Sequence, residues 1–430
     1  MGMQLEKPSL FSNRKSFIGF TLLLSIFLVI RLGFHYNSYK EFTAKPFYYT
    51  DATVLTSYEK IKYKRRYKVL KLRSDEGFTF YTTSHRKENF NNKRLRLQIF
   101  PNEGISFMDY LGTFYVKSKI KDQETVAYTV KDRLLNTVEK QHESKALSSF
   151  YNAIFFATPI DKGLREKISM LGVSHLVALS GFHLTILWGL VYGFLLLGYR
   201  PIQQRYFPYR HALMDVGIVA MIILGIYVWF VDFPPSLVRS YAMVFLGWIV
   251  LLLGLELLSF MFLGTVVFAL LALFPSLLVS LSFWLSVAGV FYIFLLLQYT
   301  KHVDKRVIAM FVIPVGIFIL MLPFVHGTFG LTSGYQLLSP LLSLLFIPFY
   351  PFVMFLHLAG MGSLLDSTVL WIFSLPTQST IQLLPSWIVA IYIVLSLFSM
   401  GNKKIFYTTF GLACLYMVYL FIPVQKITEF

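Results

Sequence analysis

The chain has 430 residues, 56% of them hydrophobic and 14% charged, with a net charge of +17. Soluble domains carry roughly 25% charged residues, so a soluble globular protein is excluded. The lone cysteine, Cys414, excludes an intrachain disulfide and a thiolate metal site. A basic balance suits anionic lipid or nucleic acid, and it equally suits the Lys- and Arg-rich cytoplasmic loops of an inner-membrane protein.

Residues 1–15 are polar, with Lys7, Arg14 and Lys15, and residues 16–30 are apolar. No small-x-small cleavage site follows, so the pattern predicts an uncleaved anchor with a cytoplasmic N-terminus. Residues 35–145 are rich in charge and hold no run of membrane length. Short alternating segments predict strands at 52–57, 66–73, 78–82, 94–100 and 112–118, separated by turn residues such as Gly77 and Asn91-Asn92. About five strands in so short a span fit a small barrel of the OB type outside the membrane. Residues 123–170 read as amphipathic helices at the membrane surface.

From about residue 171 the pattern is membrane. Apolar runs are expected near 173–198, 211–231, 236–254, 257–274, 277–298, 307–324, 336–358, 386–400 and 405–423, each near the length needed to cross about 30 Å of hydrocarbon. Arg200, Arg205 and Arg210, then Lys301, Lys305 and Arg306, then Lys403 and Lys404 mark cytoplasmic loops. The parity of these loops requires residues 361–385 to cross as well, although their apolar piece is short. Either that piece is a broken helix or 336–358 is re-entrant, and Pro340, Pro348 and Pro351 favour an interruption. The domain reading is therefore a stub and anchor (1–34), an extracytoplasmic OB-like domain (35–122), interfacial helices (123–170) and a transmembrane domain of about ten spans with the anchor (171–430).

Polar residues inside apolar runs are costly and mark candidate sites. The densest run is Ser174-His175-Leu176-Val177-Ala178-Leu179-Ser180-Gly181-Phe182-His183. On one helix His175 and His183 would lie within about 80° of each other. The group serves either as interhelical hydrogen bonds or as a polar lining for a hydrophilic cargo. No metal site and no nucleophilic triad fits the spacing. The second run holds Asp232 and Arg239 around Pro234-Pro235. Asp232 can pair with Arg239, or Arg239 can face a cavity and meet an anionic backbone. Phe283-Trp284-Leu285-Ser286 reads as helix packing. In the outer domain Lys62, Lys64, Arg65, Arg66, Lys68 and Lys71 interleave with Tyr58, Tyr63 and Tyr67. That is an ordinary solvated strand pair or a surface where cations track phosphates and rings stack on bases.

The chain resembles the ComEC family of bacterial competence proteins. Gly172, Ser174, His175, Leu176, Ala178, Ser180, Gly181 and His183 match that family's signature Gly-x-Ser-His-Leu-x-Ala-x-Ser-Gly-x-His. Ser236 and Arg239 match its Ser-x-x-Arg element, with Tyr241 in place of a small residue. Pro275 and Phe283-Trp284-Leu285-Ser286 fit a third element, and an upstream element is degenerate at 155–161. The resemblance implies an inner-membrane channel for single-stranded DNA in natural transformation. Its path would hold His175, Ser180, Gly181, His183, Asp232 and Arg239, and its outer domain would bind DNA through the six basic residues above. It further implies an extracytoplasmic DNA receptor, a cytoplasmic motor or helicase with single-strand-binding proteins, a lipid bilayer, and a homo-oligomer as partners. The family's His-x-His-x-Asp-His nuclease cluster is not in this sequence, nor is a phosphate-binding Gly-x-x-x-x-Gly-Lys loop. The expectation is a short form without enzyme activity, cofactor or metal. The rival reading is a secondary transporter or exporter of a small or lipid-linked solute.

Overall fold

A computed structural model describes residues 10–11, 13–62, 65–86, 88, 90, 93–102, 104–125, 129–254 and 259–422. The chain divides into two compact units. One comprises residues 11–130 with 264–283, and the other is built chiefly from residues 131–263 and 284–430.

The first unit begins with α1 (Arg14–Ala44), capped where the Asn13 side chain accepts from Ser16 N–H at 2.8 Å. Its 31 residues extend about 46 Å, longer than a bilayer core, and its last turn buries Phe42 in the core of a sheet. The strands are β1 (Tyr48–Lys62), β2 (Arg65–Ser74), β3 (Thr79–Ser84) and β4 (Lys93–Phe100). After α2 (Phe107–Leu111) come β5 (Thr113–Tyr115) and β6 (Lys117–Thr125), giving the order β5-β3-β2-β1-β4-β6. Alternation puts Leu70, Leu72, Phe80, Leu95, Leu97 and Ile99 into one core, all fully buried. A bulge between Val54 and Thr56 reverses the facing of β1. Ala52 and Val54 point to the core, whereas Tyr58 and Lys60 share the opposite face with Tyr67 and Val69.

The expected closed OB-like barrel is not what forms. β5 pairs only with β3, and β6 only with β4. These edges are consecutive in the chain, and Thr82 on β3, the neighbour of β5, meets Ser118 on β6 side chain to side chain at 2.7 Å, with no ladder joining β5 to β6 among the described residues. A three-residue β5 is too short to pair twice, so the sheet curls and stays open. Lys117, Lys119 and Lys121 alternate along β6, a charge pattern that discourages pairing with a further strand.

The second unit starts with α3 (Val130–Glu139), α4 (Lys145–Phe156), α5 (Lys162–Met170) and the single turn α6 (Ser174–Val177). Long helices follow: α7 (Gly181–Tyr206), α8 (Ala212–Phe230) and α9 (Pro235–Leu252), then α10 (Phe260–Leu273), most of which belongs to the first unit. Next come α11 (Leu281–Tyr299) and α12 (Lys305–Val307), which passes through a π turn into α13 (Ile313–His326). The chain ends with α14 (Ser339–Leu358), α15 (Asp366–Ser374), α16 (Ser386–Phe398) and α17 (Lys403–Phe421). Among the described residues seven helical stretches are long and apolar enough to cross a bilayer: α1, α7, α8, α11, α12–α13, residues 334–358 and α17. The helices at 236–252, 260–273 and 386–398 are apolar but shorter.

Two details differ from the sequence reading. Residues 173–198 are not one span, because the helix breaks at Ala178–Ser180 and restarts at Gly181. α14 is unbroken through Pro348 and Pro351, and the interruption comes after it. The strands β7 (Leu331–Thr332) and β8 (Thr380–Ile381) pair, and Leu384 N–H donates to His326 O at 3.0 Å, so the end of α13 and the start of α16 lie together. The 20 residues of α14 carry the chain away by about 30 Å. Residues 359–379 must bring it back, and they do so as a short helical turn, the nine-residue α15 and a non-helical stretch.

α4 joins the bundle core. Leu147, Phe150, Tyr151, Ile154 and Phe155 cluster with Leu184, Leu224, Phe346, Tyr350 and Phe373.

Candidate functional site

The signature residues fold into a helix break. Gly172 adopts φ +69°, a left-handed conformation that only glycine takes cheaply, and its carbonyl accepts from Ser339 Oγ at 2.9 Å. A Cβ there would meet Ser339 Cβ at 3.2 Å. The turn of α6 then presents His175, whose Nε2 lies 3.2 Å from Ser343 Oγ on α14. Ser180 caps the restart at α7. Its N–H donates to His183 Nδ1 at 3.4 Å, and its Oγ is 3.3 Å from the same nitrogen. A backbone N–H can only donate, so Nδ1 is the lone-pair nitrogen and the imidazole proton sits on Nε2. His183 is fully buried, edge-on to Phe346 and Tyr350 with ring centroids 5.1 and 4.9 Å away. Its Nε2 has no hydrogen-bond partner among the described residues.

The Ser-x-x-Arg element docks on this break. Ser236 Oγ donates to Leu179 O at 2.8 Å, which satisfies a carbonyl that no helix uses. A Cβ on Gly181 would meet Ser240 Oγ at 3.1 Å, so glycine permits the close approach of α7 to α9. Arg239 stands on α9 between these two contacts and is 6% exposed. His183 and Arg239 thus stand on the two helices that meet at this junction, while His175 is turned to α14. Asp232 is not the buried partner of Arg239. It pairs with Lys131 at 2.5 Å, with its side chain 76% exposed. The reason is local: Asp232 and Phe233 both take positive φ, 66° and 50°, and this tight turn aims the carboxylate outward. Sequence reasoning did not single out Ser343, Phe346 and Tyr350, which face the histidines from α14. Their signal, a polar residue and two aromatics spaced by three and then four on a span, is common to many packing faces.

In the outer unit the basic stripe is split between faces. Lys71 lies on the open face, its ammonium 5.8 Å from the Tyr81 ring, and burial holds its pKa below the usual lysine value, with Arg73 adding to the effect. Lys68 alternates to the other side and donates to Glu88 O at 2.7 Å. Arg66 is exposed on that same side. Lys62 and Arg65 are opposite each other at the end of the β1–β2 ladder. Lys64 lies outside the described residues. What the open face gathers instead is a concavity of about 530 Å³ with Val69 at its floor, lined by Tyr58, Tyr67, Tyr81, Tyr115, Lys60, Thr83 and His85. Register explains it: Lys60 opposes Tyr67, Tyr58 opposes Val69, Lys71 opposes Tyr81, and Tyr81 opposes Tyr115.

No group of three or more metal-ligating side chains forms among the described residues. Helices of this length and apolarity define a multi-pass helical membrane protein. The family model described as "Competence protein" matches residues 157–425, and that match includes the break, the Ser-x-x-Arg element and α14. The chain belongs to this family, the competence proteins of ComEC type. The comparisons with curated proteins and with solved structures returned no match.

Proposed function

We propose that this protein is the inner-membrane channel that passes one strand of DNA into the cytoplasm during natural transformation. Its family ties it to competence. The observation that carries the finer reading is the set of buried donors in the second unit's core. His183 Nε2, Trp188 Nε1 and Tyr151 OH have no partner among the described residues, and Arg239 is buried on the helix that packs against the break. A buried donor left unmet, as those of His183, Trp188 and Tyr151 are, costs about 1–3 kcal/mol, so these three are retained where another conformation supplies water or a polar cargo. With His183 and Arg239 covered, the junction is closed here, and opening requires α7, α9 or α14 to part. The tyrosine-lined concavity of the outer sheet suits the bases of a single strand, with Lys60 and Lys71 beside it for phosphates. This favours nucleic acid over the small solute of a transporter.

In this reading an extracytoplasmic receptor delivers DNA, and a cytoplasmic motor or helicase with single-strand-binding proteins draws it in. The test is to delete the gene and follow radiolabelled DNA into the cytosol. Normal internalisation in the deletion strain refutes the channel. Arg239→Ala should cut DNA entry at normal membrane abundance, and unchanged entry removes Arg239 from the path.

A further inference from the structure

The second unit contains a buried cluster of titratable groups away from the break. His142 lies in the turn between α3 and α4, His357 in the last turn of α14, and Asp366 at the start of α15. The His142 side chain is 0% exposed and that of Asp366 19%; His357 is 8% exposed. His142 Nδ1 is 2.9 and 3.0 Å from the two Asp366 oxygens, and its Nε2 is 2.9 Å from His357 Nε2. His357 Nδ1 is 2.6 Å from Val353 O. Gln141 fastens the same corner. Its amide donates to His357 O at 3.1 Å and accepts from Gly362 N–H at 2.8 Å. A Cβ on Gly362 would come within 2.5 Å of the Gln141 amide oxygen and 2.8 Å of the His357 ring, so the glycine is needed for this fit.

Counting protons decides what the cluster is. A carbonyl only accepts, so His357 Nδ1 carries a proton. The contact between the two Nε2 atoms needs one proton, because two lone pairs or two N–H groups at that distance repel. The contact between His142 and Asp366 needs one more. Three protons are thus required, whereas an ionised Asp366 with two neutral imidazoles holds two. The arrangement is satisfied only when it binds a single additional proton, which makes the set electrically neutral. Losing that proton breaks a buried contact, and gaining another does the same.

We propose that His142, His357 and Asp366 form a proton-binding site that fastens the α3–α4 turn to the break after α14 only while it holds one extra proton. Its ligand is a proton exchanged through Asp366, the most exposed of the three. The surrounding groups support this. α4 presents Tyr151, which stacks on His142 at 4.6 Å and lies 4.6 Å from His357. The turn itself presents the neutral Gln141, while its Lys140, Glu143 and Lys145 are exposed. α5, packed on α15, keeps Lys162, Arg165, Glu166 and Lys167 exposed. Among the described residues the charge facing the two rings is that of Asp366. Proton occupancy would thereby set whether residues 359–379, the returning half of the excursion, are held or released.

The test uses the full chain in lipid nanodiscs and reads backbone hydrogen exchange at residues 140–145 and 359–366, corrected for intrinsic pH dependence, from about pH 5 to 9, the range in which histidines titrate. Protection should peak within that range and fall on both sides by roughly tenfold, the effect of losing one buried hydrogen bond. Asp366→Asn supplies an NH2 that can donate to His142 Nδ1, so two neutral imidazoles satisfy every contact and the alkaline loss should disappear. His142→Gln should abolish the alkaline limb. Corrected protection in the wild type that is flat with pH overturns the proposal, as does an Asp366→Asn profile that overlays it. If neither variant folds, ¹⁵N-histidine spectra of the wild type decide. One imidazole resonance pair should report a proton shared between two rings, and two isolated neutral rings would refute it.

Discussion

Tyr58→Leu in the outer sheet removes a π face while keeping an apolar side chain over Val69. Tyr58 is 44% exposed and opposes Val69 at the edge of the concavity, so its phenol contributes little to the core and the sheet should fold unchanged. Stacking one base on one ring contributes about 1–3 kcal/mol, which predicts a roughly fivefold to 150-fold weaker dissociation constant for a short oligo-dT. The assay is fluorescence anisotropy of labelled oligo-dT with the full chain in nanodiscs at several salt concentrations. A ring contributes no counterion release, so the slope of log K against log salt should stay the same. Lys60→Ala should instead flatten that slope by about 0.7 per lost phosphate contact to a single strand. Equal affinity for Tyr58→Leu and wild type, or a slope that changes with the tyrosine and not the lysine, refutes the stacking surface.

Glu76 gives the outer unit a pH dependence. Burial alone would raise its pKa, but Thr50 and Ser74 hydroxyls donate to it at 2.6 and 2.7 Å and hold it below the usual carboxylate value. A depressed folded pKa contributes stability above the ordinary glutamate value that is lost as pH falls through the folded one. Hydrogen exchange of β1 and β2 should therefore accelerate on acidification in the wild type and not in Glu76→Gln. Gly217→Ala should destabilise the bundle by about 1–3 kcal/mol, because a Cβ there would sit 2.3 Å from Trp248 Nε1; unchanged thermal unfolding in detergent would contradict this packing. Asp232→Asn should cost under about 1 kcal/mol, as expected of an exposed ion pair, and leave membrane abundance unchanged. A large loss would restore the buried pairing with Arg239.

Span lengths and strand alternation were legible because each is a local pattern. The run 16–30 became α1, and the five strand segments became β1 to β5, the last extending past Val116 into β6. Of the break at Ala178–Ser180 the sequence showed only that Gly181 allows a break or a close backbone approach; the contacts that hold it are distant, with Ser236 capturing the Leu179 carbonyl and Ser339 the Gly172 carbonyl. The tyrosine concavity depended on a single bulge at Val54/Thr56 that changes which side every later β1 residue faces. His142, His357 and Asp366 were not singled out in the sequence: His142 is separated from its partners by more than 200 positions, and no periodicity links such distances.

The two-rung ladder of Leu331–Thr332 with Thr380–Ile381 ties both stems of the excursion at one neck. The short ladder fixes where the excursion leaves and rejoins the bundle. A shift between those points would be passed on by α14 to the helix break, through Ser339 on Gly172 and Ser343 beside His175, and not through the neck.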